Sequence, residues 1–99
     1  MSTLHLLAQG PHTDVLEQLQ AACADGDGVL LLEDGVYLGL TLGADLASTL
    51  PGCAGVYALR EHVLARGMEA RLQAGIELVD YPEFVRLVTT HRPVVSWYR

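Results

Sequence analysis

The sequence predicts a single three-layer α/β domain over residues 1–99, with a mostly parallel sheet of about five strands flanked by helices. Three observations point there. Five short apolar runs are spaced along the chain, segments of helical period lie between them, and the runs are apolar almost without interruption. Strands of that kind are covered by helices on both faces, as in a parallel sheet built from repeated strand, helix, strand units.

The first run is Leu4-His5-Leu6-Leu7-Ala8. A helix is expected from Val15 to about Ala24, announced by Asp14 with Glu17 three residues later, a capping box with Asp in place of Ser or Thr. Its apolar face, Val15, Leu16, Leu19, Ala22 and Cys23, belongs in the core, and the Asp25-Gly26-Asp27-Gly28 turn stops it. Val29-Leu30-Leu31-Leu32 is the second strand. The stretch Val36 to Leu50 reads either as a helix with Gly39 and Gly43 inside it or as a short helix followed by irregular chain.

Val56-Tyr57-Ala58-Leu59 is the third strand, and a helix near Glu61 to Arg66 ends at Gly67 as its C-cap. Ile76-Glu77-Leu78-Val79 is the fourth. Asp80 and Glu83 then form a second capping box, opening a helix from Tyr81 to about His91 that buries Phe84, Val85, Leu87 and Val88. It ends before Pro93, because the residue preceding a proline disfavours helix. The closing run Val94-Val95-Ser96-Trp97-Tyr98 fits an internal strand and a partner-facing edge equally.

Composition excludes several functions. An apolar fraction of 51% and a charged fraction of 18% describe a folded globule and not a disordered chain. All six basic residues are arginine, so chemistry that needs a primary amine, such as a P-loop or a Schiff base, has no residue to perform it. The net charge is -6, and Arg60, Arg66, Arg71, Arg86, Arg92 and Arg99 are scattered among acids, which speaks against direct contact with nucleic acid. No basic start followed by an apolar stretch is present, and the charge-free runs fall short of the ~18 apolar residues of a membrane span. Two cysteines thirty residues apart form neither a disulfide framework nor a C-x-x-C pair, so a cytoplasmic protein with reduced thiols is expected.

In an open parallel sheet, ligands bind beyond the carboxyl ends of the strands. Those ends carry Gly10, Pro11 and His12, then Glu33, Asp34 and Gly35, then Arg60 and Glu61, then Asp80 and Tyr81. The carboxylates suit Mg²⁺, yet each has a local duty: Asp80 as a helix cap, Asp34-Gly35 as a turn, Glu61 in a first helical turn. Gly26-Asp27-Gly28 precedes a strand, so its amides face the wrong edge for a nucleotide, and Gly35, Gly39 and Gly43 are explained by close packing. His5, His12, His62 and His91 lie far apart, and neither cysteine has zinc-ligand spacing, so no metal and no cofactor are expected. His12, after the first strand, is the histidine best placed for a site. Cys23 is the weak candidate for thiol chemistry: burial, the negative end of its helix and the nearby Asp25 and Asp27 would all raise its pKa. Cys53, after Pro51-Gly52, falls at the amino edge of the sheet and reads as structural.

The segments Thr3-Leu4-His5-Leu6-Leu7, Val29-Leu30-Leu31-Leu32-Glu33-Asp34-Gly35-Val36, Val56-Tyr57-Ala58-Leu59 with Ala65-Arg66-Gly67, and Val79-Asp80-Tyr81 with Phe84-Val85 and Leu87, closing on Trp97, together resemble the TusB/DsrH family of sulfur-relay subunits. The match covers essentially the whole chain in order and rests on the second-strand and last-helix segments, not on a catalytic signature. It implies a DsrEFH-like fold and a cytoplasmic complex with TusC-like and TusD-like subunits, a dimer of heterotrimers. In that relay a TusA-type carrier delivers persulfide sulfur that finally 2-thiolates a tRNA wobble uridine; the DsrH branch serves dissimilatory sulfur oxidation.

The resemblance also places the sulfur-carrying cysteine of the sister subunits just after the third strand. This chain has Ala58-Leu59-Arg60-Glu61 there, with no thiol. DsrH-type members carry a cysteine on the first helix as a candidate second sulfur site, and Cys23 falls about one turn later on that helix. The expectation is therefore a noncatalytic subunit that contacts no nucleic acid and no membrane. The alternatives are a DsrH-type subunit in sulfur oxidation with Cys23 as a sulfur-accepting thiol, and an unrelated α/β binding module with a metal at its acidic edge.

Overall fold

The computed structural model describes residues 2–8, 13–40, 46, 50 and 52–97, with the side chains of 13–16 left aside. Five strands, β1 (Leu4–Leu7), β2 (Gly28–Leu31), β3 (Gly55–Leu59), β4 (Ile76–Val79) and β5 (Val94–Trp97), form one sheet in the order β4-β3-β2-β1-β5. Every neighbouring pair is parallel, with Leu4 opposite both Gly28 and Val94, and Gly28 opposite Gly55. The α-helices whose span lies within the described residues are α1 (Thr13–Ala22), α2 (Arg60–Ala65) and α3 (Tyr81–Thr90).

Side chains alternate across the sheet as strand geometry requires, and each set meets a different layer. Leu7, Val29, Leu31, Val56 and Ala58 point to one side, where Leu19 of α1 and Val63 of α2 close over them. Leu4, Leu30, Leu59 and Val79 point to the other, where Phe84, Leu87 and Val88 of α3 cover them. Strand β2, at the centre, is buried along its whole length, so its unbroken apolar run is the mark of a strand sandwiched between layers. Edge strand β5 is different. Val94 and Val95, which point to opposite faces, are both 37% exposed.

The expected elements are present, with shifted ends. The Asp80 box is intact: its carboxylate accepts from the Glu83 amide at 2.9 Å, and the Glu83 carboxylate accepts from the Asp80 amide at 3.1 Å. Gly67 takes φ 63° just past α2, the left-handed turn that a C-cap glycine supplies. Helix α1 begins at Thr13, so Asp14 lies inside its first turn instead of before it. Ala22 is exposed although its spacing suggested core, because the inward stripe at this end of α1 is the narrower one through Leu19 and Cys23. Val85 is likewise outside, 56% exposed, because the inward stripe of α3 runs through Phe84, Leu87 and Val88 and leaves Val85 beside Tyr81 on the outer side.

Between β2 and β3 a 3₁₀ helix spans Glu33–Gly39 and gives way to extended backbone at Leu40, so the helix does not run on through Gly39; further along, Leu46 is helical and its carbonyl accepts from the Leu50 amide at 2.9 Å. A tight turn is enforced after β2 because the chain folds back onto the end of β1. The Leu32 amide donates to the Leu7 carbonyl at 3.0 Å, and a Cβ on Gly35 would lie 1.8 Å from that same oxygen. Leu40 then makes an antiparallel bridge to Leu72; Gly43 and most of the stretch to Leu50 fall outside the described residues. No described helix is long and apolar enough to cross a membrane.

Candidate functional site

A parallel sheet sends every chain segment that precedes a strand to one edge and every segment that follows one to the other. The carboxyl edge is where ligands were expected. There Glu33, Asp34, His62, Arg66 and Tyr81 come together. The Arg66 guanidinium donates through Nε at 3.2 Å and Nη2 at 3.0 Å to one carboxylate oxygen of Asp34, so that carboxylate is half of an exposed ion pair. The Glu33 amide donates to His62 Nδ1 at 2.7 Å, which puts the ring proton on Nε2, 3.2 Å from the Tyr81 hydroxyl. Asp80 caps α3, and Glu61 sits in the first turn of α2. Asp80 and Glu61 thus have the local duties their positions suggested, Asp34 lies in the turn after β2 with its carboxylate on Arg66, and the described residues group no Mg²⁺-type carboxylate cluster here. Gly10, Pro11 and His12 lie outside the described residues. His91 lies elsewhere, donating from Nδ1 to the Leu87 carbonyl at the end of α3.

The amino edge holds a more deeply organised group. Asp27, in the turn before β2, is buried, and one carboxylate oxygen accepts from the Thr3 amide at 2.9 Å. The other accepts from the Ala24 amide at 2.9 Å and lies 3.0 Å from His5 Nε2. His5 is itself buried on β1, and its Nδ1 receives the indole N–H of Trp97 at 3.1 Å. An indole can only donate, so Nδ1 carries the lone pair and Nε2 the proton. The His5–Asp27 contact is therefore a hydrogen bond from a neutral ring to a carboxylate, and Trp97, His5 and Asp27 form a directed chain. Burial pushes the Asp27 carboxyl up, but the Ala24 and Thr3 amides and the His5 ring outweigh it and hold the pKa below the ordinary carboxylate value.

The two cysteines, thirty residues apart in sequence, also meet at this edge, a proximity that their spacing did not announce. Cys23 follows the last turn of α1, Cys53 precedes β3, and their Sγ atoms are 3.4 Å apart as free thiols. Burial pushes the Cys23 thiol up; the bond with Cys53 works the other way, and the Asp27 charge adds to the rise. Cys53 is pushed up to about 12, by burial first and then by Cys23 and Asp27. The rise expected for Cys23 is present, and it comes from two of the expected causes, burial and the Asp27 charge. Sequence reading missed the pairing, and it also took Asp27 for a plain turn residue and His5 for an isolated histidine.

Donor atoms of His5, Cys23 and Asp27 lie within 4.8 Å of one another, close enough to share a metal ion. The tautomer argues against that use. A metal on His5 Nε2 would need the proton moved to Nδ1, where it would face the Trp97 N–H.

With this geometry in view, comparison with known proteins gives a consistent answer. The family model described as "DsrH like protein" matches residues 10–94. Protein TusB of Pectobacterium parmentieri is 34% identical over 94 residues, covering 95% of this chain and 99% of that protein. Protein TusB of Escherichia coli strain SMS-3-5 is 36% identical over the same shares. Among solved structures, protein Tm0979 of Thermotoga maritima superposes with a TM-score of 0.66 at 26% identity, covering 92% of this chain and 95% of its own. The ychN protein of E. coli, at 17% identity, shares the fold with a TM-score of 0.73 over 98% and 100% of the two chains.

Proposed function

The chain belongs to the TusB/DsrH family, and from that premise we propose that it is a noncatalytic subunit of a sulfur-relay complex, supporting persulfide transfer for 2-thiolation of a tRNA wobble uridine. One observation carries the noncatalytic part. At the position after β3, where sister subunits would hold their sulfur-carrying cysteine, this chain begins α2 with Arg60 and Glu61, and both of its thiols lie at the opposite edge of the sheet. Those two thiols are raised in pKa, the reverse of what a sulfur-accepting nucleophile needs.

The role left to such a subunit is to hold a catalytic partner. Its surface supports this: Tyr81 and Val85 on α3, and Val94 and Val95 on edge strand β5, are exposed apolar side chains. Unpaired strand edges and apolar helix faces are what partner chains cover. The partners in this reading are TusC-like and TusD-like chains in a cytoplasmic heterohexamer fed by a TusA-type carrier, with this chain acting as one domain that contacts no RNA itself.

The test is to assemble the three-subunit complex, present it with a persulfidated carrier, and locate sulfur by intact mass. Sulfur on the TusD-like chain, none on this one, and undiminished transfer with Cys23→Ser are the expected results. A stable persulfide on Cys23 together with loss of transfer in Cys23→Ser would overturn the assignment.

A further inference from the structure

We propose that Cys23 and Cys53 form a redox site, closing to an intramolecular disulfide by exchange with a low-molecular-weight disulfide such as oxidised glutathione. The site is independent of the sulfur-relay reading. What supports it is how firmly the two thiols are aimed at each other.

Each cysteine is fixed by its own backbone. The Cys23 amide donates to the Leu19 carbonyl at 2.8 Å and the Cys53 amide to the Leu50 carbonyl at 3.1 Å. The two segments are then joined directly. The Gly26 amide donates to the Gly52 carbonyl at 2.9 Å, and the Ala54 amide to the Asp27 carbonyl at 2.7 Å. Asp27 ties the same turn to the Ala24 and Thr3 amides, and the register that sets Gly28 beside Gly55 continues the alignment into the sheet. With both backbones held, forming the bond asks only for a small side-chain movement, so the entropy of bringing the ends together is already spent in folding. Both thiols are partly exposed, so a small oxidant reaches them.

The exchange balances without any further reagent. Cys23 loses its proton and attacks one sulfur of the external disulfide, giving a mixed disulfide and releasing one thiolate. Cys53 then loses its proton and attacks the Cys23 sulfur, forming the internal bond and expelling the second thiolate. The two protons go to the departing thiolates. The cysteine pair is oxidised by two electrons, and the external disulfide is reduced to two thiols. Because burial disfavours both thiolates, closure is slow, and the mixed disulfide is short-lived only because Cys53 stands beside it. Closure ties the end of α1 to the entry of β3 and leaves the carboxyl edge untouched.

The experiment uses the full chain incubated with oxidised glutathione, followed by alkylation of remaining thiols and non-reducing peptide mapping. The expected result is loss of both thiols together, no added glutathione mass, a crosslink between the Cys23 and Cys53 peptides, reopening by dithiothreitol, and a higher urea midpoint in the closed form. Cys23→Ser and Cys53→Ser, by contrast, should retain a free thiol or carry glutathione. Stable glutathione adducts on the native chain, or two thiols that remain alkylatable through prolonged oxidation, would refute the site. Should either variant fail to fold, the peptide map of the native chain still decides between these outcomes.

Discussion

Asp27 is the residue whose removal should cost the fold most for the fewest atoms. Its carboxylate accepts three hydrogen bonds, from the Thr3 amide, the Ala24 amide and His5 Nε2, in a site that is 4% exposed. Hydrogen bonds to a charged group contribute about 1.5–3 kcal/mol each, and donors left partly buried without a partner lose a comparable amount. Allowing water to reach the two part-buried amides, Asp27→Ala should lower stability by about 3–5 kcal/mol, against a total of about 5–15 for a domain of this kind. Asp27→Asn should cost about 1–3 kcal/mol: its oxygen can still serve Ala24 and His5, while its amide then faces the Thr3 N–H. His5 cannot relieve the loss by turning over, since Nδ1 is committed to Trp97. Urea unfolding followed by the fluorescence of Trp97, the sole tryptophan, measures both variants. The pH dependence has a definite sign. A carboxyl with a depressed folded-state pKa stabilises above its unfolded value, and that contribution fades as pH falls through the folded one. The gap between native chain and Asp27→Asn should therefore narrow on the acid side. A gap that stays constant from neutral to acid pH, or Asp27→Ala within about 0.5 kcal/mol of native, would refute the reasoning.

Three further outcomes follow from other parts of the molecule. Gly35→Ala would place a Cβ 1.8 Å from a backbone oxygen that cannot swing aside, so a loss of about 3 kcal/mol or more, or failure to fold, is expected in the same urea assay. Asp80→Ala removes the side chain that accepts from the Glu83 amide and should cost about 1 kcal/mol, with helicity lost by circular dichroism chiefly at α3. Val85→Asp, on the outer side of α3, should leave stability within about 0.5 kcal/mol, yet reduce co-purification with the TusC-like and TusD-like chains; unchanged co-purification would remove α3 from the contact surface.

Much of this fold is legible in the sequence itself, and the reasons are local. Strand β2 announces itself through four consecutive apolar residues, α3 through the Asp80–Glu83 box, and the end of α2 through Gly67. Misreadings arose where a local signal competed with a tertiary one. The Asp14–Glu17 pair has the spacing of a cap, but α1 begins one residue before Asp14. Val85 has a core residue's chemistry but lies off the inward stripe of a helix that covers only one side of the sheet. The 3₁₀ turn after β2 depends on the Leu7 carbonyl, twenty-eight residues before Gly35, and no window around Gly35 contains that information.

The site was less legible because it is made by register. His5, Asp27, Cys23, Cys53 and Trp97 lie on four separate stretches of chain, and none carries a motif. What joins the first four is that β1 and β2 lie side by side, as do β2 and β3, so the segments preceding β2 and β3 share an edge, with the start of β1 alongside; Trp97, the last residue of β5, reaches His5 from the strand paired on the other side of β1. A usable signal was nevertheless present. Cys23 precedes Gly28 by five residues and Cys53 precedes Gly55 by two, so any fold that pairs these strands in parallel brings the thiols to the same edge. The same geometry separates the roles of the two edges. A thiol before a strand cannot reach the carboxyl edge without breaking the sheet, so a chain whose cysteines both precede strands can lock its amino edge but presents no thiol at the opposite one.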